Sequence, residues 1–207
     1  MSRSRTYVYV GLMVLAAAAA GYMVARQLQD DSPALAAGTR MPQPRPVAAF
    51  SLQDHHGAAF GSAQLAGMPS LVFFGFTHCP DVCPTTLALM AQLAREPRLS
   101  GLRLVFITVD PNRDDTTTLA NYVQAFGGAI TGLRGDDAAL EPLLQSLGAA
   151  RSVQQLAGGD YVVDHSATLF FVDAEGRLAA VFTPPFAFPT LRDDLTALTP
   201  AAPASRT

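Results

Sequence analysis

The segment "SLVFFGFTHCPDVCPTT", residues 70–86, decides the fold, because it joins a buried strand to a cysteine loop. Residues 70–76 form a continuous apolar run, which is typical of a strand buried on both faces of a sheet. Both cysteines of the chain follow at once, and Pro84 suits the first turn of a helix that runs to about Arg95. Ligands of open α/β sheets bind at this carboxyl end of a strand, so the loop is the first candidate site.

The remaining pattern predicts strands that alternate with helices. A turn at residues 54–57 separates two short strands and predicts an N-terminal β-hairpin extension. Further strands are predicted over 102–110, 167–173 and 178–182, and helices after Asp114 or Asp115, around the leucines of 140–147 and over 188–198. Pro142 predicts a late start or a kink in the middle helix of these three. The fold class is therefore α/β, with the layout of a thioredoxin-like sandwich.

The N-terminus is predicted to stand apart from this domain. Residues 7–24 carry no charge and as a helix would extend roughly 27 Å, enough for a thin membrane span. Arg3 and Arg5 precede the span and favour an inside N-terminus. We therefore expect residues 1–26 to be a single-pass anchor in the inner (cytoplasmic) membrane, with the domain facing the periplasm. The alternative is a cleaved signal peptide, which sends the domain to the same side.

Composition sets the other boundaries. Residues 27–46 are rich in proline and alanine and predict a linker, followed by the domain over 47–199 and a tail over 200–207. Nearly half the residues are apolar, so the core needs no disulfides. The net charge is −3, and all 14 basic residues are scattered arginines, which argues against nucleic acid as a partner.

The spacing of Cys79 and Cys83 suits a disulfide, a redox pair or half of a metal site. Residues four apart share one face of a helical turn, so both sulfurs can point at one ion. The helix N-terminus favours negative charge, which predicts a lowered pKa for the Cys83 thiol. Cysteines tend to oxidise outside the cytoplasm, so a reduced pair there needs a reductant or a metal, which an upstream thiol reductant or copper donor would supply as a partner.

Two thiolates are an incomplete ligand set, and a histidine is the natural addition. Zinc prefers four ligands, whereas Cu(I) favours thiolates and accepts fewer. His165 is the best candidate, since it precedes a strand expected beside the cysteine-bearing strand, and Asp164 or a backbone carbonyl could orient its ring. The alternative is a histidine that only caps a strand. We expect His78 to point away from the site and His55 and His56 to be solvated in a turn.

Three motifs resemble the SCO/SenC family: "FGFTHCPDVCPTTL", "ITVDPNRDD" and "VDHSATLFFVD". The resemblance covers roughly residues 47–198 and implies a membrane-anchored, thioredoxin-like copper protein that helps to build the CuA centre of cytochrome c oxidase. It implies Cys79, Cys83 and His165 as ligands for copper, as Cu(I), Cu(II) or both, and the CuA-bearing oxidase subunit as the partner. That partner would receive copper or have its cysteines reduced. Asn112 stands where the family commonly has an acidic residue.

Other classes of function use the same cysteines. A thiol–disulfide oxidoreductase or a peroxiredoxin-like peroxidase would be an enzyme, whereas a metallochaperone is not. Oxidoreductases of this fold usually carry a cis-proline in the segment facing their cysteines, and residues 164–168 contain no proline. The third class is a secreted binding module in which the cysteines form a structural disulfide, although such modules are usually richer in cysteine. Loss of copper binding in a His165→Ala variant would favour the carrier.

Overall fold

The computed structural model describes residues 3–28, 34–156 and 158–199. Helix α1, Arg3–Leu28, belongs to one unit, and the chain from Leu35 onward forms a second. Over the described ranges, no helix combines the length and the apolar character that a membrane crossing requires. The structure therefore does not support the predicted anchor over residues 1–26. The predicted tail, 200–207, lies outside the described residues.

The second unit is built on an eight-stranded sheet. Its strands in chain order are β1 (Gly38–Pro46), β2 (Ser51–Asp54), β3 (Ala59–Gly61), β4 (Ser70–Gly75), β5 (Arg103–Thr108) and β6 (Ile130–Arg134), then β9 (Leu169–Val172) and β10 (Arg177–Phe182). Their spatial order is β1-β10-β9-β4-β5-β6-β2-β3. Strands β4, β5 and β6 are parallel, and β9 pairs antiparallel with β4. A separate two-stranded ribbon pairs β7 (Arg151–Gln155) with β8 (Tyr161–His165).

Helices cover both faces of this sheet. They are α2 (Ser62–Leu65), α3 (Val82–Leu93), α4 (Thr116–Gln124), α5 (Asp137–Leu147) and α6 (Phe188–Leu198), with a 3-10 turn at Pro97–Leu99. Side chains of β4 alternate between two cores. Leu71 and Phe73 pack with α3, α4 and α6, whereas Val72 and Phe74 pack with α5. Burying one such side chain stabilises the fold by roughly 1.5–3 kcal/mol, so the apolar run fixes β4 at the centre of an α/β sandwich.

The helix starts follow local capping. Asp115 is the N-cap of α4. Its carboxylate accepts a hydrogen bond from the amide of Thr118 at 2.7 Å. Asp136 caps α5 in the same way, through the amide of Ala139. The expected late start of α5 is wrong: the helix begins at Asp137 and continues through Pro142.

The sheet begins earlier in the chain than the sequence predicts. Residues 38–46 fall in the predicted linker, whereas the structure pairs them with β10 as an antiparallel edge strand. Asp194 of α6 secures the approach to this strand. Its two carboxylate oxygens accept hydrogen bonds from the amides of Ala36, at 3.0 Å, and Ala37, at 2.7 Å. The second half of the predicted linker is therefore part of the domain.

Candidate metal centre

The cysteine loop leaves the carboxyl end of β4, as the sequence predicts. Cys83 is the second residue of α3 and is fully buried. Cys79 lies in the preceding loop, is half-buried and donates its amide to the carbonyl of Phe76 at 3.2 Å. Both cysteines are free thiols in the structure.

His165 reaches the same end of the sheet from the opposite direction. It is the last residue of β8, and the chain then enters β9, which pairs with β4. Because β4 and β9 are antiparallel, the end of β4 and the approach to β9 are neighbours. The predicted juxtaposition of His165 and the cysteine loop is therefore a consequence of strand pairing.

Three atoms that could bind a metal converge at this point. The Sγ atoms of Cys79 and Cys83 and a ring nitrogen of His165 all lie within 4.8 Å of one another. The Nε2 atom of His165 is 3.5 Å from Sγ of Cys83. No other trio of histidine, cysteine or acidic side chains in the described part of the chain clusters in this way.

The imidazole ring is held in a definite orientation. Its Nδ1 lies 3.0 Å from the carbonyl oxygen of Ser166 and donates to it, which leaves Nε2 unprotonated and facing Cys83. Phe73 and Phe76 meet the ring edge-on, with centroids at 6.0 and 5.7 Å. A backbone carbonyl and two aromatic rings thus orient His165.

The other candidate side chains do not join the cluster. Asp164 is exposed, and its carboxylate accepts from Gln154 Nε2 at 3.4 Å instead of contacting the His165 ring. The side chain of His78 is 53% exposed and lies beside Thr77 and Asp114. His55 and His56 lie in the turn after β2, with their ring centroids 4.0 Å apart and the rings tilted by 42°. His165 is the histidine that the fold brings to the cysteines.

Burial shifts the pKa of two of the three clustered side chains. Burial raises the pKa of the Cys83 thiol far above its ordinary value, so the lowered pKa predicted from the helix N-terminus is wrong. Burial also lowers the pKa of His165 below its ordinary value. The imidazole is therefore neutral at pH 7 and free to act as a ligand, whereas the Cys83 thiol keeps its proton at pH 7 when no metal is bound.

The sequence analysis did not predict the role of Gly75, and it named Asp114 only as a possible helix cap. Gly75 ends β4, and a Cβ atom there would lie 2.7 Å from Sγ of Cys83. Asp114, fully buried, accepts hydrogen bonds from the amide and hydroxyl of Thr77, at 2.9 and 2.6 Å, and from the hydroxyl of Thr108 at 2.5 Å. The glycine in "FFGF" and the acidic run after β5 were the available signals.

Fold and site together define a class: a thioredoxin-like domain with a two-thiol, one-imidazole cluster at the end of its central strand. The model of the SCO1/SenC family matches residues 39–199. The chain belongs to this family, and its match confirms the resemblance drawn from the three motifs.

Individual relatives agree with this assignment. The chain is 40% identical over 136 residues to the human "Protein SCO2 homolog, mitochondrial", covering 61% of this chain and 50% of the relative. It thus spans about half the length of the mitochondrial relatives it matches. The copper-bound structure of Bradyrhizobium japonicum ScoI is 34% identical with a TM-score of 0.67, covering 74% of this chain and 99% of that chain. Copper-bound yeast Sco1 is 30% identical with a TM-score of 0.67, covering 73% and 87%.

Proposed function

We propose that this protein is a copper-binding assembly factor that holds one copper ion between Cys79, Cys83 and His165 and delivers it to the CuA subunit of cytochrome c oxidase. The convergence of the three ligand atoms within 4.8 Å carries the proposal. Copper-bound relatives of the same fold support the choice of metal.

The donor set suits copper on chemical grounds. Two thiolates and one imidazole are soft to borderline ligands, which Cu(I) prefers and accepts in low coordination number. A structural zinc site normally has four protein ligands, and the described residues supply three here. A site with three protein ligands leaves room for an incoming thiolate or imidazole, so copper can pass to an acceptor by ligand exchange.

The same cysteines support a second step in assembly. Cys79 is half-buried and Cys83 fully buried, so Cys79 is the sulfur that an acceptor disulfide can reach. Its thiolate would attack that disulfide, and Cys83 would then displace the acceptor to form a Cys79–Cys83 disulfide. The acceptor gains two electrons and two protons and leaves as a dithiol. Oxidation of the pair would also prevent copper binding until a thiol reductant restores it.

We place the domain in the periplasm, the side to which either an anchor or a signal peptide over residues 1–26 would send it. The arginines before residues 7–24 favour this orientation. This location does not require the N-terminal segment to remain in the membrane. Protease treatment of spheroplasts tests the location, since a periplasmic domain is digested and a cytoplasmic one is protected.

Copper stoichiometry tests the function. The full chain, reduced anaerobically, should bind one Cu(I), whereas Cys83→Ser and His165→Ala should each weaken binding by more than the 10–100-fold that loss of an outer-shell contact typically costs. His56→Ala is the matched control, because this histidine lies outside the cluster. Unchanged copper affinity in His165→Ala, together with full reduction of protein disulfides, would replace the carrier by an oxidoreductase.

A further inference from the structure

Residues 110–114, here called the 110–114 turn, follow β5 and form a rigid unit. The amides of Arg113 and Asp114 donate to the carbonyl of Asp110 at 3.2 and 3.0 Å. Arg134, from the neighbouring strand β6, donates from its guanidinium to the carbonyls of Asp114 and Pro111 at 3.0 and 3.1 Å. The turn is therefore fixed to the main sheet independently of the metal site.

One end of the turn holds the cysteine loop. Asp114 is fully buried, and its carboxylate accepts from both the amide and the hydroxyl of Thr77. Thr77 lies two residues before Cys79, inside the loop that connects β4 to α3. Hydrogen bonds to an ionised acceptor are about twice as strong as neutral ones, so this contact fixes the start of the loop.

The other end holds the strand that carries His165. Asp110 is 1% exposed, and its carboxylate accepts from the hydroxyl of Tyr161 at 2.6 Å and from Nε of Arg113 at 2.5 Å. The Arg113 guanidinium also stacks on the Tyr161 ring, 4.0 Å from its centroid. Tyr161 is the first residue of β8, and His165 is the last.

This second contact matters because the β7–β8 ribbon is not part of the main sheet. Its strands pair with each other, and Val163 packs into the core beside α5. Three hydrogen bonds then tie the ribbon to the end of β5 and the turn that follows it. The Tyr161 hydroxyl donates to Asp110, Nη1 of Arg113 donates to the Tyr161 carbonyl at 3.3 Å, and Nε of Arg151 donates to the carbonyl of Val109 at 2.6 Å. These contacts hold the ribbon that leads to His165, whereas Ser166, Phe73 and Phe76 orient the ring itself.

We propose that the 110–114 turn is a brace that sets the separation between the two cysteines and the histidine. Tyr161 is the positioning residue on the histidine side, and Asp114 on the cysteine side. The inference rests on the proposed function only for the identity of the metal. A metal site tolerates small errors in ligand position poorly, so a common support for both halves gives the site its geometry before metal arrives.

Tyr161→Phe tests the brace, because it removes one hydroxyl and keeps the ring on which Arg113 stacks. We expect the affinity for Cu(I) to fall by about 10-fold, within the range typical of outer-shell contacts. We also expect faster amide hydrogen exchange over residues 161–165 in the metal-free protein. Tyr122→Phe is the matched control for exchange: within the described structure its hydroxyl has no hydrogen-bond partner, so exchange over residues 161–165 should not change.

A double-mutant cycle separates positioning from a general loss of structure. If Tyr161 acts through His165, then Tyr161→Phe has no further effect on copper affinity in a His165→Ala background. An additive loss, or unchanged affinity and exchange in the single variant, would overturn the brace. A wild-type chain that binds no copper would instead overturn the proposed function. The amide exchange of metal-free Tyr161→Phe would then decide the brace alone, faster exchange supporting it and unchanged exchange rejecting it.

Discussion

The Nε2 atom of His165 lies 3.5 Å from the Sγ atom of Cys83, although 82 positions separate the two residues in the chain. The antiparallel pairing of β4 with β9 closes that distance. An unfolded chain does not hold this arrangement, so the binding of metal and the stability of the fold are coupled.

Copper should therefore stabilise the domain against unfolding. Free Cu(I) buffered at 100 times the dissociation constant adds about 2.7 kcal/mol to the free energy of unfolding if the unfolded chain does not bind. Urea denaturation with and without buffered Cu(I), under anaerobic conditions, measures this gain. In His165→Ala the gain should shrink, since the unfolded chain keeps both cysteines but the folded site has lost a ligand. An equal gain in both proteins would place the copper elsewhere.

Copper affinity should rise with pH. Burial raises the pKa of the Cys83 thiol, so copper must displace a proton from it throughout the neutral range. Each thiol proton released on binding adds about 10-fold in affinity per pH unit. Competition with a chelator between pH 6 and 8, corrected for protonation of the chelator, measures the slope. An affinity that does not change over this range would contradict a thiolate ligand at Cys83.

Gly75→Ala should weaken both the fold and the site. The added Cβ would lie 2.7 Å from Sγ of Cys83 and 2.7 Å from the Phe106 ring, so one of them must move. Overpacking of this kind typically costs about 1–3 kcal/mol, and displacement of the sulfur should also lower copper affinity. Gly101→Ala is the matched control, because its Cβ would meet nothing within 4 Å. Denaturant unfolding and a copper titration measure the stability and the copper affinity of both variants. Equal losses in both, or none in Gly75→Ala, would contradict the prediction.

The sequence could predict the central strand, the last helix and the meeting of His165 with the cysteines, because apolar runs and strand pairing carry that information. It could not predict β1. Residues 38–46 include three prolines and no apolar alternation, and the strand pairs with β10 at both ends around an irregularity between Arg40 and Arg45. Edge positions and bulges tolerate proline, so a proline-rich segment can still be a strand.

The sequence also could not predict the direction in which the pKa of the Cys83 thiol is shifted. A position at a helix N-terminus lowers a thiol pKa, and burial raises it. The balance at Cys83 depends on how closely Gly75 and Phe106 pack against the sulfur, which only the folded structure shows. The contact of Tyr161 with Asp110 could not be predicted either, because the two residues are 51 positions apart. The ribbon that carries Tyr161 also has no clear alternation of apolar residues.

Asp194→Asn should destabilise the domain without changing its copper site. The carboxylate is largely buried and accepts the amides of Ala36 and Ala37, so weakening one acceptor costs about 1–3 kcal/mol. Asp193→Asn is the matched control: its carboxylate is exposed and pairs with Arg192 at the surface, which contributes about 1 kcal/mol or less. Urea midpoints and copper stoichiometry should separate the two variants. Equal midpoints would show that the Ala36–Ala37 segment is not held by α6.

The metal-free, reduced protein should lose stability as the pH rises through 9. The Cys83 thiol has an ordinary pKa of 9.0 in the unfolded chain and a raised pKa in the folded domain because of burial. The folded state therefore retains a proton that the unfolded state releases, and unfolding becomes more favourable by up to about 1.4 kcal/mol per pH unit. The contribution is fully present below pH 9 and declines above it. Urea unfolding between pH 8 and 10 should show this decline in the wild type and a smaller one in Cys83→Ser, whose hydroxyl does not titrate in this range. Parallel curves for the two proteins would mean that Cys83 titrates alike in the folded and unfolded states.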